Sequence, residues 1–309
     1  MRVPLDGLPD RVEIYEVGPR DGLQNEKATV PADVKAEFVA RLADAGLRTI
    51  ETTSFVHPRW VPQLADAEEL LAALPPAAPG ARRPVLVPNE RGLERALRNG
   101  VTEIAIFGSA TESFARRNLN RTVDESIAMF APVVERALAE GMWVRAYVSM
   151  ACGDPWEGDV PIDQVVRVAK RMMDLGCAQL SIGDTIGVGT PGQVTALIEA
   201  LVAAGIGVDR LAVHFHDTYG QALANTLAAL RAGVTTVDAS AGGIGGCPYA
   251  ESATGNLATE DLVWMLHGLG IDTGVDLAAL AATSSWMAER LGRPSPSRVV
   301  QALAPKEQQ

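Results

Sequence analysis

The chain has 309 residues, 47% of them hydrophobic, with a net charge of −11, three cysteines and four histidines. That length suits one large domain or two ordinary ones, and the acidic balance argues against non-specific nucleic-acid binding while leaving room for a small anionic ligand held by local basic residues. No run approaches the ~18 apolar residues of a membrane span. The first residues lack the apolar stretch of a secretory signal, and Cys152, Cys177 and Cys247 lack the spacing of a disulfide framework or a structural zinc site. A reducing cytosol is therefore the expected compartment.

In chain order, short β-rich runs are predicted at 12–18, 48–55, 84–88, 103–108, 143–149, 178–183, 210–216 and 235–240. Helical patterns fall between and after them, at 32–45, 60–74, 91–99, 124–140, 162–175, 191–204, 220–232 and 259–268. Gly46, Gly100, Gly141, Gly176 and Gly233 read as helix C-caps. Strict βα alternation implies a parallel sheet with helical crossovers, and eight units over about 260 residues match a (β/α)8 TIM barrel. A doubly wound open sheet is the competitor, but the first strand ends in Gly18-Pro19-Arg20-Asp21-Gly22 rather than in a dinucleotide fingerprint. The expected organisation is a barrel domain over residues 1–275 and a C-terminal helical extension over 276–309, with one helix near Asp276–Leu291 packed on the barrel and a frayed tail.

In a barrel the functional groups gather at the C-terminal ends of the strands. The seventh strand ends in His214-Phe215-His216-Asp217. Alternate residues on a strand share a face about 6–7 Å apart, so both imidazoles can converge on one ion, or simply form a hydrogen-bonded pair. Strands seven, eight and one are neighbours in a closed barrel, which brings Asp21 and Asn256 to the same sector of the rim. One carboxylate, two imidazoles and an amide oxygen leave about two positions of an octahedron open, a set suited to Mg2+ or Mn2+. The same His/His/carboxylate core also suits Fe2+ in an oxygenase.

Arg20 is a surface ion pair for Asp21, a supporting partner, or a fixed charge facing a developing enolate or carboxylate. Glu51, inside the second strand, needs a partner, and Arg20 on the neighbouring strand is the obvious one; its expected role is to orient. Asp184 is a base, a support for a metal-bound histidine, or a cap for the next turn. The loop Gly242–Asn256 is rich enough in glycine to act as a lid, and Cys247 within it, exposed near a cation, would have an acidified thiol. Cys152 and Cys177 read as inert. His57 reads as solvated, and His267 as favoured by a helix C-terminus. The turn Gly187–Gly192 is a weak candidate for anion binding at a helix N-terminus.

The stretches Glu16–Glu26, Glu51–Val56, Gly183–Gly192, His216–Asn225 and Gly245–Ala250 together resemble the 3-hydroxy-3-methylglutaryl-CoA lyases, within the metal-dependent aldol/Claisen lyase barrels. The resemblance runs from about residue 12 to 275. It implies cleavage of a 3-hydroxy-3-methylglutaryl-CoA-like thioester to acetyl-CoA and acetoacetate. It also implies metal ligation by Asp21, His214, His216 and Asn256, an essential Arg20, a loop cysteine at Cys247, and functional acids at Glu51 and Asp184. The expected partners are a small-molecule acyl-CoA and further copies of the chain in a homo-oligomer, with no nucleic acid and no membrane.

Three departures stand out. Ser252 replaces a usual glycine, Phe215 lies between the histidines, and Asp154 and Trp156 stand where the family often has Cys and Tyr, so that acyl-group recognition stays open. The rival readings are a lyase for a longer branched 3-hydroxyglutaryl-CoA, an acyl-CoA/2-oxo acid condensing enzyme, and a catalytically silent CoA-thioester sensor.

Overall fold

The structure, a computed structural model, describes residues 2–246 and 255–304. Eight parallel strand positions form a ring: β1 (Glu13–Glu16), β2 (in two pieces, Thr49–Ile50 and Thr53–Ser54), β3 (Val85–Leu86), β4 (Glu103–Ser109), β5 (Trp143–Ser149), β6 (Gln179–Asp184), β7 (Leu211–Phe215) and β8 (Thr236–Ala239). The first piece of β2 pairs with β1 and the second with β3. At the break, Glu51 N donates to Glu16 O at 2.8 Å and Thr52 N to Pro84 O at 3.0 Å, which carries the ladder across. The far end of the ladder runs β1–β8–β7 and on to β3, so the expected (β/α)8 barrel is the observed one.

Parallel strands covered on both faces need near-continuous burial, and β6, β7 and β8 are buried at every position. The helices α1 (Ala32–Asp44), α2 (Ala67–Ala73), α3 (Glu90–Arg98), α4 (Glu112–Leu119), α5 (Val123–Ala139), α6 (Ile162–Asp174), α7 (Pro191–Ala203), α8 (Ala222–Arg231) and α9 (Thr259–Gly268) surround the ring. Their apolar faces join the strands in one core cluster that includes Phe38, Ile104, Phe130, Leu197 and Leu262. Gly46 (φ 99°) and Gly176 (φ 104°) close α1 and α6 in the left-handed region, as their positions in the sequence suggest.

Three local differences from expectation have physical causes. The helix predicted over 60–74 is a short turn at Pro62–Leu64, with Pro62 at its first position where proline suits a helical start, followed by the shorter α2. An extra helix, α4, precedes α5 and sits over the barrel mouth; Asn120 (φ 53°) turns the chain, and a capping box of Thr122 and Glu125 starts α5. After α10 (Leu277–Leu291) the chain forms one further helix, α11 (Arg298–Leu303), and the Pro/Lys/Gln tail from 305 onward lies outside the described residues. The N-terminus of α11 is held by Asp261, which accepts from Ser297 Oγ at 2.7 Å and Val299 N at 2.8 Å.

The helix α10 packs on the barrel as expected. Asp276 caps it through Ala278 N and Ala279 N, and Trp286 stacks on Phe38 of α1 with ring centroids 6.5 Å apart. Among the described residues, no helix is long and apolar enough to cross a membrane.

Candidate active site

The turn that follows β1 is wound wide: Asp21 N and Gly22 N both donate to Val17 O, at 2.8 and 3.1 Å. Such one-turn widenings re-aim side chains and recur at functional sites. Glu16, fully buried behind the turn, accepts from Gly18 N and Ala241 N, each at 2.8 Å, and from Thr259 Oγ1 at 2.6 Å. One carboxylate thus ties the turn after β1 to the turn after β8. A Cβ at Gly18 would lie 2.6 Å from Glu16 Oε1, so the close approach requires glycine there.

The turn delivers Arg20 and Asp21 to the mouth. Arg20 is 6% exposed; its Nε donates to Glu51 Oε2 at 2.7 Å and its Nη1 to Asp21 Oδ1 at 2.6 Å. The pairing of Arg20 with Glu51 expected from adjacent strands is therefore present, and Asp21 shares the same guanidinium. Burial pushes the Glu51 carboxyl above its ordinary range despite Arg20. For Asp21, burial also pushes upward, but the charges of Arg20, His214 and His216 outweigh it and lower the pKa to about 2. Asp21 is an anion at neutral pH.

From β7, His214 and His216 bring their rings to 5.4 Å between centroids. Asp21, His214 and His216 each offer a ligand atom, and these atoms all lie within 4.8 Å of one another. Asn256, paired backbone to backbone with His216, completes the sector. Its Nδ2 donates to Asp21 Oδ2 at 2.9 Å and Ile244 O at 3.2 Å, while its Oδ1 is buried without a hydrogen-bond partner. A buried amide oxygen left unpaired beside three converging ligand atoms fits a cation. The four residues named from the sequence meet in one place.

Sequence reasoning missed the groups behind them. Asp238 on β8 sits 3.2 Å from His214 Nδ1, accepts from Ser181 Oγ at 2.9 Å and from Arg145 Nη2 at 2.5 Å. Arg145 Nη1 donates to the Tyr147 hydroxyl at 3.1 Å, and that hydroxyl donates to Glu51 Oε2 at 3.2 Å. The available signal was the one used for Glu51: Arg145 and Asp238 are charges inside strands that the barrel buries, and each needs a partner.

Other expectations resolve differently. Asp184 accepts from Val188 N at 3.1 Å and Gly189 N at 2.9 Å, which braces the turn after β6. Those amides are the donors that an anion at Gly187–Gly192 would need. Burial raises Asp184 to about 6 against these bonds. His57 is exposed, as expected, and lies on the cavity rim. His267 lies in the last turn of α9, as expected; burial, with the charge of Arg2, lowers its pKa, and its Nε2 is 3.0 Å from Thr273 Oγ1. Cys152 and Cys177 are buried, and burial pushes Cys152 well up and Cys177 to about 12. Asp154 accepts from Thr111 Oγ1 and from Trp156 N and Glu157 N, so it braces a turn and does not line the cavity. Cys247, Ser252 and the remainder of 247–254 lie outside the described residues.

The cavity at the mouth encloses about 810 Å³. Arg20, Asp21, Tyr147, His214 and His216 form its floor, Leu86, Phe107 and Met129 its apolar wall, and Trp60, Arg117 and Arg121 its outer rim.

The HMGL-like family model matches residues 11–287. A mitochondrial hydroxymethylglutaryl-CoA lyase of Arabidopsis thaliana is 51% identical over 297 residues, covering 96% of this chain and 63% of that protein. A cytoplasmic 3-hydroxy-3-methylglutaryl-CoA lyase of Rattus norvegicus is 49% identical over 298 residues, covering 96% and 86%. The crystal structure of hydroxymethylglutaryl-CoA lyase from Pseudomonas aeruginosa superposes with a TM-score of 0.94 at 46% identity, over 97% of this chain and all of that one. An HMG-CoA lyase structure from Acinetobacter baumannii, in complex with coenzyme A and 3-methylmalate, gives 0.91 at 33% identity over 99% of both chains.

Proposed function

The chain belongs to the HMGL-like family, and on that premise we propose that it cleaves 3-hydroxy-3-methylglutaryl-CoA to acetyl-CoA and acetoacetate, as a carbon–carbon lyase dependent on Mg2+ or Mn2+. The observation that carries this reading is the convergence of Asp21, His214 and His216 beside Arg20 on one cavity floor, with Asn256 bonded to Asp21 through Nδ2 and its Oδ1 buried without a partner. The relatives named above act on this class of thioester by name, and a neighbour with coenzyme A bound supports an acyl-CoA ligand.

Asp21, His214, His216 and Asn256 would hold the cation, whose oxygen- and nitrogen-donor set is the hard-leaning kind that suits Mg2+ or Mn2+. A cation held by these residues would supply Lewis acidity toward substrate oxygens, making a tertiary hydroxyl easier to deprotonate. Loss of the hydroxyl proton to solvent lets the alkoxide oxygen form the carbonyl of acetoacetate as the C2–C3 bond breaks, and the electron pair of that bond collects on the thioester as an enolate. Arg20 presents a fixed positive charge on the cavity floor to that developing anion. Glu51 holds Arg20 in line and takes no part in bond making. Cys247 is the proposed acid that protonates the enolate carbon, replacing the proton lost from the hydroxyl. Asp184 supports the site from behind by fixing the turn after β6. In this reading residues 1–275 carry the chemistry and 276–309 brace it. Cysteine usage supports a cytoplasmic setting.

Incubation with 3-hydroxy-3-methylglutaryl-CoA and Mg2+ or Mn2+ should release acetyl-CoA and acetoacetate in equal amounts by mass spectrometry. No turnover of that thioester, with cleavage of a longer 3-hydroxy-3-alkylglutaryl-CoA or condensation of acetyl-CoA with a 2-oxo acid, overturns the reading.

A further inference from the structure

The register of β7 on β8 sets His214 opposite Asp238, and a carboxylate oxygen of Asp238 lies 3.2 Å from the imidazole Nδ1. Asp238 is 1% exposed and does not wander: Arg145 Nη2 holds one oxygen at 2.5 Å and Ser181 Oγ the other at 2.9 Å. Arg145 is itself fully buried, with its guanidinium 3.8 Å from the centre of the Tyr15 ring. A charge pair this deep is weak as a stabilising device, because apolar replacements of similar size are often neutral or better. Its retention needs another reason, and its contacts supply one.

We propose that Asp238, held by Arg145, is a positioning residue that fixes the tautomer and orientation of His214. An ionised carboxylate only accepts hydrogen bonds, so it requires the proton on Nδ1 and leaves the lone pair of the neutral ring on Nε2. That nitrogen faces the site, 3.8 Å from Asp21 Oδ2. The other arm of Arg145 reaches Tyr147, which donates to Glu51, which holds Arg20, which holds Asp21. The same buried pair therefore stands behind two of the proposed cation ligands, His214 directly and Asp21 through three side chains.

The inference rests on the proposed cation site, and equilibrium binding of Mn2+ without substrate, read by electron paramagnetic resonance of the free ion, separates the two. Asp238→Asn keeps the shape and removes the obligatory acceptor; Mn2+ binding should weaken about 10- to 100-fold. Because that change leaves the Arg145 charge uncompensated, the double variant Asp238→Asn with Arg145→Met is measured beside it. It should regain the thermal stability of the wild type yet keep the weakened binding. In the metal-free wild type, at a pH where the ring is neutral, the 15N shifts of His214 should report a proton on Nδ1, and in the metal-free double variant a mixture of tautomers. Mn2+ affinity of the double variant within about twofold of wild type, or an unchanged His214 tautomer, overturns the inference. A wild-type protein that binds no Mn2+ overturns the cation site itself, and the inference falls with it.

Discussion

Replacing Arg20 by lysine keeps the positive charge and removes the fork that the structure uses. The guanidinium bonds Glu51 at 2.7 Å through Nε and Asp21 at 2.6 Å through Nη1, from a position 6% exposed. A lysine lacks the separate Nε and Nη1 donors of the planar fork and reaches less far, so one of the two buried charge-assisted bonds is expected to be lost, worth about 1.5–3 kcal/mol. Glu51 is fully buried, and its other hydrogen-bond donor is the Tyr147 hydroxyl at 3.2 Å, so it gains little compensation. For a chain of 309 residues a loss of that order lowers Tm by roughly 2–5 °C. The catalytic effect is larger in relative terms, because removing a preorganised donor from a developing oxyanion reduces kcat by about 10²- to 10³-fold. Steady-state release of acetyl-CoA at saturating substrate and cation measures it, with KM expected to change little. A kcat within about threefold of wild type, in a variant whose Tm confirms the altered packing, would refute the placement of Arg20 at the reacting centre.

Three further outcomes are expected. Burial raises Glu260 from 4.5 to about 8, against its bonds to Ser284 and Gly242 N. A raised folded-state pKa means that its contribution is complete below about pH 4.5 and is lost as pH rises through about 8, a matter of a few kcal/mol. Glu260→Gln should therefore flatten the decline of the urea midpoint across that window, and a parallel decline refutes the assignment. Cys152 and Cys177, both held protonated by burial, should resist a thiol reagent at about pH 8 in the folded protein and react on unfolding; rapid native labelling of either contradicts the structure. Cys247→Ala should reduce kcat far more than it raises KM, and an unchanged kcat removes that thiol from the mechanism.

The barrel and the convergence of the four candidate ligands are legible in the sequence because they depend on counting. Eight βα units make strands seven, eight and one neighbours, and that alone brings residues 21, 214, 216 and 256 together. Glu51 was legible as a buried charge whose nearest partner lies on the next strand. Asp238 and Arg145 obey the same rule but were passed over, since a single charge in an apolar strand does not declare whether it faces the barrel interior. That depends on a register, His214 opposite Asp238, which only the folded ring fixes. The sequence does not settle the role of Asp184, because a carboxylate at a strand end bonds either forward to its own turn or across to a neighbour; here it accepts from Val188 N and Gly189 N. The helix α4 escaped notice because Glu112–Leu119 is short and mostly polar, with burial limited to Phe114 and Ala115.

The central claim is that Asp21, His214, His216 and Asn256 hold the cation on which cleavage depends. The direct measurement is acetyl-CoA release before chelation, after it, and after return of Mg2+ or Mn2+, in wild type and in His216→Ala. Chelation should abolish turnover, the returned ion should restore it in the wild type, and the variant should stay inactive at concentrations that saturate the wild type. Full turnover by chelated protein that elemental analysis shows to be free of divalent metal would contradict the account.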